Sequence, residues 1–325
     1  MSSLMTNSAA MTALQTLSAS NKQMDTTQNR ISTGYRVSDA SDNAAYWSIA
    51  TTMRSDNKAL GAVQDALGLG AATVDVMYTA LNSTVEVVSE IKSKLTAASQ
   101  PGVDRGKIQS EIGELQEQLK NIGASAVFNG QNWLSVDSDA AGYNADREVV
   151  ASFTRDAANN VSLQTITVSI DEIKLFDPNG GGAVTDALGI LDTTTNFAAV
   201  DPADGTFNGN AEADMSLVTL DISTISDSAA DRDILTSMLE KVDGALGEIT
   251  DAATNLGAIK NRIGMQQDFV SALKDSVDRG VGQLVDADMN AESSRLQALQ
   301  VQQQLGIQAL SIANGNSQNI LSLFR

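Results

Sequence analysis

The sequence predicts a mainly α-helical protein, folded as an elongated nested rod of long helices with a small β-hairpin and loop insert in the middle of the chain. Three observations predict it. The only prolines are Pro101, Pro178 and Pro202, so both ends of the chain lack the residue that breaks helix interiors. Apolar residues recur at alternating spacings of three and four in both flanking regions, as in a coiled coil. The middle is instead rich in Gly, Asp, Thr and Asn, which favour turns and surface loops.

The first and last segments of the chain predict helices that require partners. Residues 4–33 carry one apolar stripe, whereas residues 289–324 carry two, and a helix with two apolar sides is buried on both. Because an isolated helix is marginal in water, we expect the two to form a coiled coil with each other and with further copies. The residues expected in this packing are Leu14, Leu17, Met24, Ile31, Leu296, Leu299, Leu305, Leu310, Ile320 and Phe324.

Two apolar seams further in predict a helical hairpin. From Leu60 to Ala98 nearly every position at the three-four spacing is apolar. This seam stops at residues 100–102, where Gln-Pro-Gly signals a turn. A second seam then runs from Ile108 to Ile122, so we expect two helices that fold back on each other.

A third seam predicts a further long helix. It runs from Leu235 to Ile249 through Leu239 and Leu246. Apolar residues continue from Leu256 to Val277, but only after a shift of three residues near Ala252, a shift that overwinds a coiled coil locally without ending it.

The middle of the chain predicts strands and an exposed insert. Residues 149–170 contain two runs of strand-forming residues around a polar Asp-Ala-Ala-Asn-Asn turn, which predicts a β-hairpin. Residues 216–223 are a further strand candidate. Residues 177–214 are rich in Gly, Asp, Thr and Asn, so we expect residues 177–225 to form a short, loop-rich insert on the surface.

The nesting of these segments predicts the domains. We expect residues 1–42 and 287–325 to form a terminal coiled-coil domain, since end pairs with end. Residues 43–176 and 226–286 should form a helical rod domain, from which the insert projects.

Composition removes most classes of enzyme. The chain has no cysteine and no histidine, so thiol chemistry, zinc motifs and Ser-His triads are excluded. The net charge is −19, which opposes binding to nucleic acid and to anionic lipid. No apolar stretch is long enough for a membrane helix, and the first residues lack the basic and apolar regions of a cleaved signal peptide. We therefore expect no enzyme activity and no membrane insertion.

Three segments resemble ligand sites weakly. The Gly-rich run 178–189 lacks the lysine of a phosphate-binding loop. The acidic run 286–292 lacks the glycine and closing glutamate of a calcium loop, and acids before a helix more often cap it. Residues 30–54 could hold an anion beside Arg30 and Arg36, or form a joint in which Gly34 ends one helix and residues 38–42 cap the next. We expect no cofactor and no metal.

Four ordered motifs identify a family resemblance. Residues 30–50, RISTGYRVSDASDNAAYWSIA, resemble the signature ERLSSG-x-R-I-x-x-A-x-DDAAG-x-AIA of bacterial flagellins. FNGQNWL at 128–134, LGAIKNRI at 256–263 and QNILSLFR at 318–325 resemble further flagellin segments in the same order. The resemblance covers residues 1–135 and 233–325.

This resemblance implies a filament subunit for swimming motility. In flagellins, the terminal helices line the inside of the filament, the inner helices form the next shell, and the variable middle faces solvent. The subunit leaves the cell unfolded through the flagellar type III apparatus without a cleaved signal, so the expected location is the extracellular filament. The implied partners are other copies, alone or mixed with other flagellins, the export apparatus with a flagellin chaperone, the filament cap and the hook-associated proteins.

The resemblance also assigns the stretch around residue 40. It implies that Gly34, Arg36, Asp42 and Trp47 belong to a joint between the innermost helix and the next shell, with the arginines bound to carboxylates of neighbouring subunits. Trp47 follows Tyr46 where many flagellins have a Gly and a polar residue, so we expect a bulkier subunit contact there.

A second departure concerns recognition by the innate receptor of animals. In flagellins that this receptor senses, an Arg and a Leu stand at the positions of Glu90 and Lys94. Only Glu111 keeps the family's acidic residue, which argues against recognition of this chain.

Two alternatives remain open at this point. A hook–filament junction protein shares flagellin-like ends, although the lack of a large insert favours the filament subunit. A filament subunit with an added adhesion role would use the acidic insert, and deletion of 177–225 would then abolish binding while leaving filaments intact.

Overall fold

The computed structural model describes residues 7–138, 140–156, 158, 160–177, 189–193, 216–225 and 228–322. Its elements are α1 Ser8–Thr33, α2 Ala44–Ala98, α3 Arg105–Ser125, β1 Val127–Phe128, β2 Gln131–Asn132, β3 Asp146–Arg155, β4 Val161–Ser169, α4 Ala229–Val285 and α5 Met289–Ser322. The prediction of a mainly α fold with a small β-hairpin in the middle is confirmed.

The chain divides into two compact units. The first contains residues 1–59 and 272–325, and the second contains residues 60–271. Helices α2 and α4 each contribute residues to both units.

The part of α2 that belongs to the second unit, residues 60–98, carries the predicted seam along its whole length. Every predicted position of the seam is buried, and most are fully enclosed: Leu60, Val63, Leu67, Gly70, Val74, Met77, Leu81, Thr84, Val88, Ile91, Leu95 and Ala98. Antiparallel pairing with α4 is marked by Lys92 with Asp243 and by Asp75 with Lys260. The seam prediction is therefore confirmed, because residues at the three-four spacing lie on one face of a helix and this face is buried at every predicted position.

The seam of α4 differs from the prediction. Between 235 and 270 the most deeply buried residues keep one three-four pattern with no phase shift: Leu235, Met238, Val242, Ala245, Ile249, Ala252, Leu256, Ile263 and Val270. Leu239 and Leu246 are only half-buried. The predicted shift near Ala252 is wrong, because it followed the larger leucines, whereas the smaller Ala245 and Ala252 occupy the tightly packed side.

The turn between α2 and α3 is closed by a buried arginine. Asp104 caps α3 by accepting the amide N–H of Lys107. Arg105 is buried, and its guanidinium donates to the carbonyl oxygens of Ala98 at 3.1 Å and Ile225 at 3.2 Å. The predicted helical hairpin is confirmed, and Lys94 of α2 also pairs with Glu111 of α3 at 2.7 Å.

The predicted β-hairpin at 149–170 is confirmed and lies against both long helices. β3 and β4 pair antiparallel, with a bulge between Val150 and Ser152. The extra residue, Ala151, turns its carbonyl to the side-chain amide of Gln266 on α4 at 3.0 Å. Val149 lies so close to Gly70 of α2 that a Cβ at that glycine would come within 2.3 Å of it.

Residues 216–223 form no strand, so that prediction is wrong. Leu217, Leu220 and Ile222 are buried as expected for a strand, but their backbone bonds to side chains of α3. Gln116 donates to the carbonyl oxygens of Leu217 and Leu220, at 3.0 and 2.9 Å, and Gln109 accepts the amide N–H of Ile222 at 3.0 Å. Two glutamines thus take the place of a neighbouring strand, because they satisfy the same buried backbone groups.

A buried ion pair lies where the chain enters the insert. Lys174 and Asp177 are both fully enclosed, and Nζ lies 3.1 Å from Oδ2. Burial opposes the charge of Asp177, but hydrogen bonds from Ser138 and Lys174 outweigh it and lower the pKa of that carboxyl. Asp192 accepts the amide N–H of Asp177 at 2.8 Å, and burial raises the pKa of Asp192.

Most of the predicted insert lies outside the described residues, namely residues 178–188 and 194–215. This part includes nearly all of the Gly-rich run 178–189.

Candidate assembly surface and joint

Helix α1 begins and ends at residues suited to those positions. The Asn7 side chain accepts the amide N–H of Ala10, which satisfies one of the free donors at the helix start. At the other end Gly34 has φ +76°, and its N–H donates to the carbonyl of Arg30 at 2.8 Å. This left-handed cap matches the predicted stop, because glycine reaches that conformation without steric cost.

Helices α1 and α5 pair antiparallel in one register. Asn7 donates to the carbonyl of Ala313 at 2.9 Å, and Gln303 donates to Asn21 at 2.9 Å. Arg30 Nη1 lies 3.1 Å from Oε1 of Glu292, whose carboxylate is nearly enclosed. Because the three pairs share one register, the stripes of the two helices meet along their length.

The predicted packing residues divide into two groups. Met24 and Leu299 are buried between the helices, and Leu17, Ile31, Leu296 and Leu310 are half-buried. Leu14 and Leu305 instead point outward, with 57% and 58% of their surface exposed. The side chain of Ile320 and all of Phe324 lie outside the described residues.

The outward group is larger than the sequence-based set. Beside Leu14 and Leu305, four further large apolar side chains are more than half exposed on α1 and α5: Met11, Val301, Ile307 and Ile312. Val301, Leu305 and Ile312 lie at helical spacing on one side of α5, the second of its two apolar stripes, opposite buried Leu299. The helix pair therefore leaves six large apolar side chains that its own packing does not cover.

The joint brings the two connecting segments of the first unit together. Ala287 donates its N–H to the carbonyl of Gly34 at 2.9 Å, and Tyr35 pairs with Asp286 in an antiparallel bridge. Arg36 donates its backbone N–H to the carbonyl of Val285 at 2.6 Å and its guanidinium to that of Leu284 at 3.1 Å. Gly34 and Arg36 are thus bonded to the end of α4 and the residues that follow it.

The caps on the two sides of the joint differ from the prediction. Asn43, rather than residues 38–42, caps α2 by accepting the amide N–H of Tyr46 at 3.2 Å. Asp42 folds back on the turn before it and accepts the backbone N–H of Ser38 at 3.0 Å and of Asp39 at 3.3 Å. These backbone bonds lower the pKa of Asp42. Asp288 caps α5, as expected for an acidic residue before a helix.

The side chains of the joint bond within the chain. Arg30 pairs with Glu292 and Arg36 donates to the carbonyl of Leu284, both within the chain. Bonds from these arginines to carboxylates of neighbouring subunits stay a prediction. Arg54 lies over the Tyr35 ring, 4.7 Å from its centre, a contact that sequence reasoning missed. Trp47 is exposed on the first turn of α2, with 37% of its surface accessible.

The described part of the chain holds neither a candidate metal cluster nor a candidate membrane span. No group of three or more acidic side chains there is placed to hold a metal ion. Within the same residues, no helix is both long enough and apolar enough to cross a membrane.

The three positions that differ or agree with receptor-sensed flagellins form one ion-pair cluster. Lys94 bridges Glu90 at 3.4 Å and Glu111 at 2.7 Å.

Comparison with known proteins assigns the chain to a family. A model of the bacterial flagellin N-terminal helical region matches residues 4–138, and a model of the C-terminal helical region matches residues 239–324. The chain is 50% identical to Flagellin C and 44% identical to Flagellin A of Rhizobium meliloti (strain 1021), and 45% identical to the flagellin of Brucella melitensis biotype 1. Each of these alignments covers both chains in full. With both helical end regions matched and full-length relatives at this level of identity, the chain belongs to the bacterial flagellin family.

Proposed function

We propose that this chain is a structural subunit that polymerises into the helical filament of the bacterial flagellum, which drives swimming. The observation that carries the proposal is the set of six large apolar side chains left exposed on α1 and α5 in a member of the flagellin family. Exposed apolar surface of this extent is costly in a protein that stays monomeric, whereas a polymer buries it against the next copy. Flagellins are structural proteins, so no catalytic role is assigned.

Within this role, the terminal helices supply the inner contacts. We assign Leu14 and Leu305 to packing between subunits, and Met24 and Leu299 to the coiled coil within one subunit. Ile320 and Phe324 are assigned to the same packing by the sequence pattern alone. Residues 1–42 with 287–325 would form the filament core, and 43–176 with 226–286 the surrounding shell, with 177–225 facing solvent.

The joint is assigned to the transmission of changes in filament twist. Gly34 and Arg36 attach the chain to the end of α4, and Asp42 holds the turn that follows, so a small rotation at these residues would reorient α1 and α5 together. Trp47 is exposed beside the joint and offers a contact for a neighbouring subunit.

Location and further partners follow from the same role. The filament lies outside the cell, so the subunit is expected to be exported through the flagellar apparatus with a chaperone, and to meet the cap and the hook-associated proteins during growth. Other flagellins could share the filament.

Seeded growth tests the proposed function. Purified monomer is added to short filament fragments, and electron microscopy follows their length. A filament subunit elongates the fragments without limit. A hook–filament junction protein would stop at a short segment, and that outcome, or no growth at all, would contradict the proposal.

A further inference from the structure

Helix α4 carries an exposed apolar pair in the second unit. Met265 and Phe269 lie one turn apart, with 67% and 56% of their surface exposed. The buried seam of α4 passes on another side of the helix, through Ile263 and Val270. Of the phenylalanines that the structure describes, Phe269 is the only exposed one. This surface is therefore separate from the packing within the second unit.

An unneutralised cation adjoins the pair. Arg262 lies one turn before Met265 and is exposed. The positions three and four residues away on α4 hold no acid, since they are Ala258, Ile259, Met265 and Gln266. In the described part of the chain no carboxylate forms an ion pair with Arg262, and Asp75 pairs with Lys260, two residues before it. The face thus combines two large apolar side chains with one free positive charge.

A groove between α2 and α3 has the complementary properties. It has a volume of about 730 Å³, and half-buried Leu115 and Ile122 form its apolar lining. Its rim is acidic, with four glutamates at 90, 111, 114 and 117 against a single lysine at 94.

One glutamate of this rim is left without a cation. Lys94 pairs with Glu90 and Glu111, and Lys120 pairs with Glu117. Glu114 is exposed, forms no ion pair among the described residues, and has like charges three residues away on both sides. A cation brought to Glu114 would therefore relieve repulsion as well as form a pair.

We propose that Met265 and Phe269 of one copy of this chain dock into the α2–α3 groove of a second copy, with Arg262 of the first bound to Glu114 of the second. The inference rests on the proposed function and names a contact within the polymer. The occupant is a second copy because apolar surface meets apolar lining and the free cation meets the free carboxylate. The two surfaces differ, so the contact is head-to-tail, which is the kind that continues into an open helical assembly.

Charge reversal tests the pair. R262E and E114R each replace attraction by repulsion, and we expect each to raise the critical concentration for seeded polymerisation by about tenfold, which corresponds to about 1.4 kcal/mol per contact. The double variant R262E/E114R restores the pair in reversed orientation, so its critical concentration should return to within about threefold of the parent chain, a difference below 1 kcal/mol. The matched control is R232E, the same charge change at an exposed arginine of α4 away from the face.

The outcomes separate this inference from the proposed function. If the parent chain does not elongate seeds, the proposed function fails and the inference fails with it. If the parent elongates seeds and the single reversals polymerise like R232E, only the inference is overturned. Single reversals that weaken growth without recovery in the double variant also overturn it, because the two residues then do not meet.

Cross-linking gives a second readout that does not depend on stability. The chain contains no cysteine, so introduced thiols are the only ones present. Filaments of the double variant Arg262→Cys/Glu114→Cys, treated with a short bismaleimide, should give a ladder of covalent oligomers on a denaturing gel. Each single-cysteine variant should give no ladder. Absence of the ladder from well-formed filaments of the double variant would contradict the proposed contact.

Discussion

Gly34 sets the backbone at the joint through a single torsion angle. Its φ of +76° lies in the left-handed region, and a Cβ there would meet no atom within 4 Å. Gly34→Ala should therefore destabilise the first unit by about 1 kcal/mol through backbone strain alone, and should bias the shape of filaments. Thermal unfolding of the monomer and microscopy of filament pitch measure the two effects.

The matched control for this change is Gly68→Ala. Gly68 lies inside α2, also with open space around its Cα, but without positive φ. Alanine there should raise stability by roughly 0.5–1 kcal/mol, because glycine is the poorer helix former. Equal effects at both sites, or normal pitch and normal switching in Gly34→Ala filaments, would contradict the role given to the joint.

Asp192 and Asp177 should act on stability with opposite dependence on pH. Burial raises the pKa of Asp192 above its unfolded value, so its contribution to stability is complete below about pH 3.9 and is lost as pH rises through the folded pKa. Asp192→Asn keeps an acceptor for the N–H of Asp177 but carries no charge. We expect this variant to melt above the parent at pH 7 and level with it near pH 3.5.

Asp177 provides the opposite case for comparison. Its pKa is lowered, so its contribution is present above about pH 3.9 and is lost as pH falls through the folded pKa. Asp177→Asn should melt below the parent at pH 7, because Lys174 then loses its buried counter-charge and keeps only the half-exposed Asp171, 3.4 Å from its Nζ. Calorimetry of both variants between pH 3.5 and pH 7 measures their melting temperatures. A change of melting temperature of the same sign in both variants at pH 7 would refute the assignment.

At the scale of elements, the sequence pattern predicted the buried side of a helix correctly where the large apolar residues lie on that side. The seam of α2 could be predicted residue by residue because large apolar side chains occupy most of its positions, and the regular spacing then fixes the smaller or polar ones, Gly70, Thr84 and Ala98. In α4 the buried side includes the small residues Ala245 and Ala252. A prediction that favours large residues selects Leu239 and Leu246 instead. The backbone bonds that Gln109 and Gln116 provide for residues 216–222 had no signal, since a glutamine that replaces a strand looks like any helix surface residue.

The candidate site was predictable to a similar extent. Gly34 could be identified as a helix end because its conformational freedom is a property of the residue itself. Two side-chain pairs could not be predicted from the sequence. The pair of Arg30 with Glu292 depends on the register of α1 against α5, and the pair of Arg54 with Tyr35 depends on the path of the chain through the joint. Which stripe of α5 faces inward was likewise undetermined until that register was known.

Substitutions in the two apolar stripes of α5 should affect different processes, the folding of the subunit in one stripe and filament assembly in the other. Leu299 is buried against α1, and Leu299→Ala should destabilise the helix pair by about 2 kcal/mol or more, since it removes packed apolar volume. Leu305 is mostly exposed, so Leu305→Ser should leave the monomer unchanged and raise the critical concentration for polymerisation. Hydrogen exchange of the α1 amides and sedimentation of filaments measure the two effects. Faster exchange of α1 in Leu305→Ser would show that this residue instead packs within the subunit.

For the whole molecule, charge opposes the contacts that the apolar faces favour. Each copy carries a net charge of −19, and polymerisation brings many copies within a few ångströms of one another. Repulsion between them reaches about 10 Å at 0.1 M salt and about 3 Å at 1 M. The apolar contacts are not screened, whereas single exposed ion pairs contribute only about 0–1 kcal/mol.

Added salt should therefore promote assembly of this chain. We expect the critical concentration in sodium chloride to fall steadily from about 0.05 M to about 0.5 M, as the Debye length shortens below the spacing of surface charges. Sedimentation of seeded filaments at each concentration measures it, and a titration in sucrose at matched osmolality controls for exclusion effects. A critical concentration that rises with salt would show that attractive ion pairs between copies outweigh the repulsion, and that the apolar faces are not the main source of filament stability.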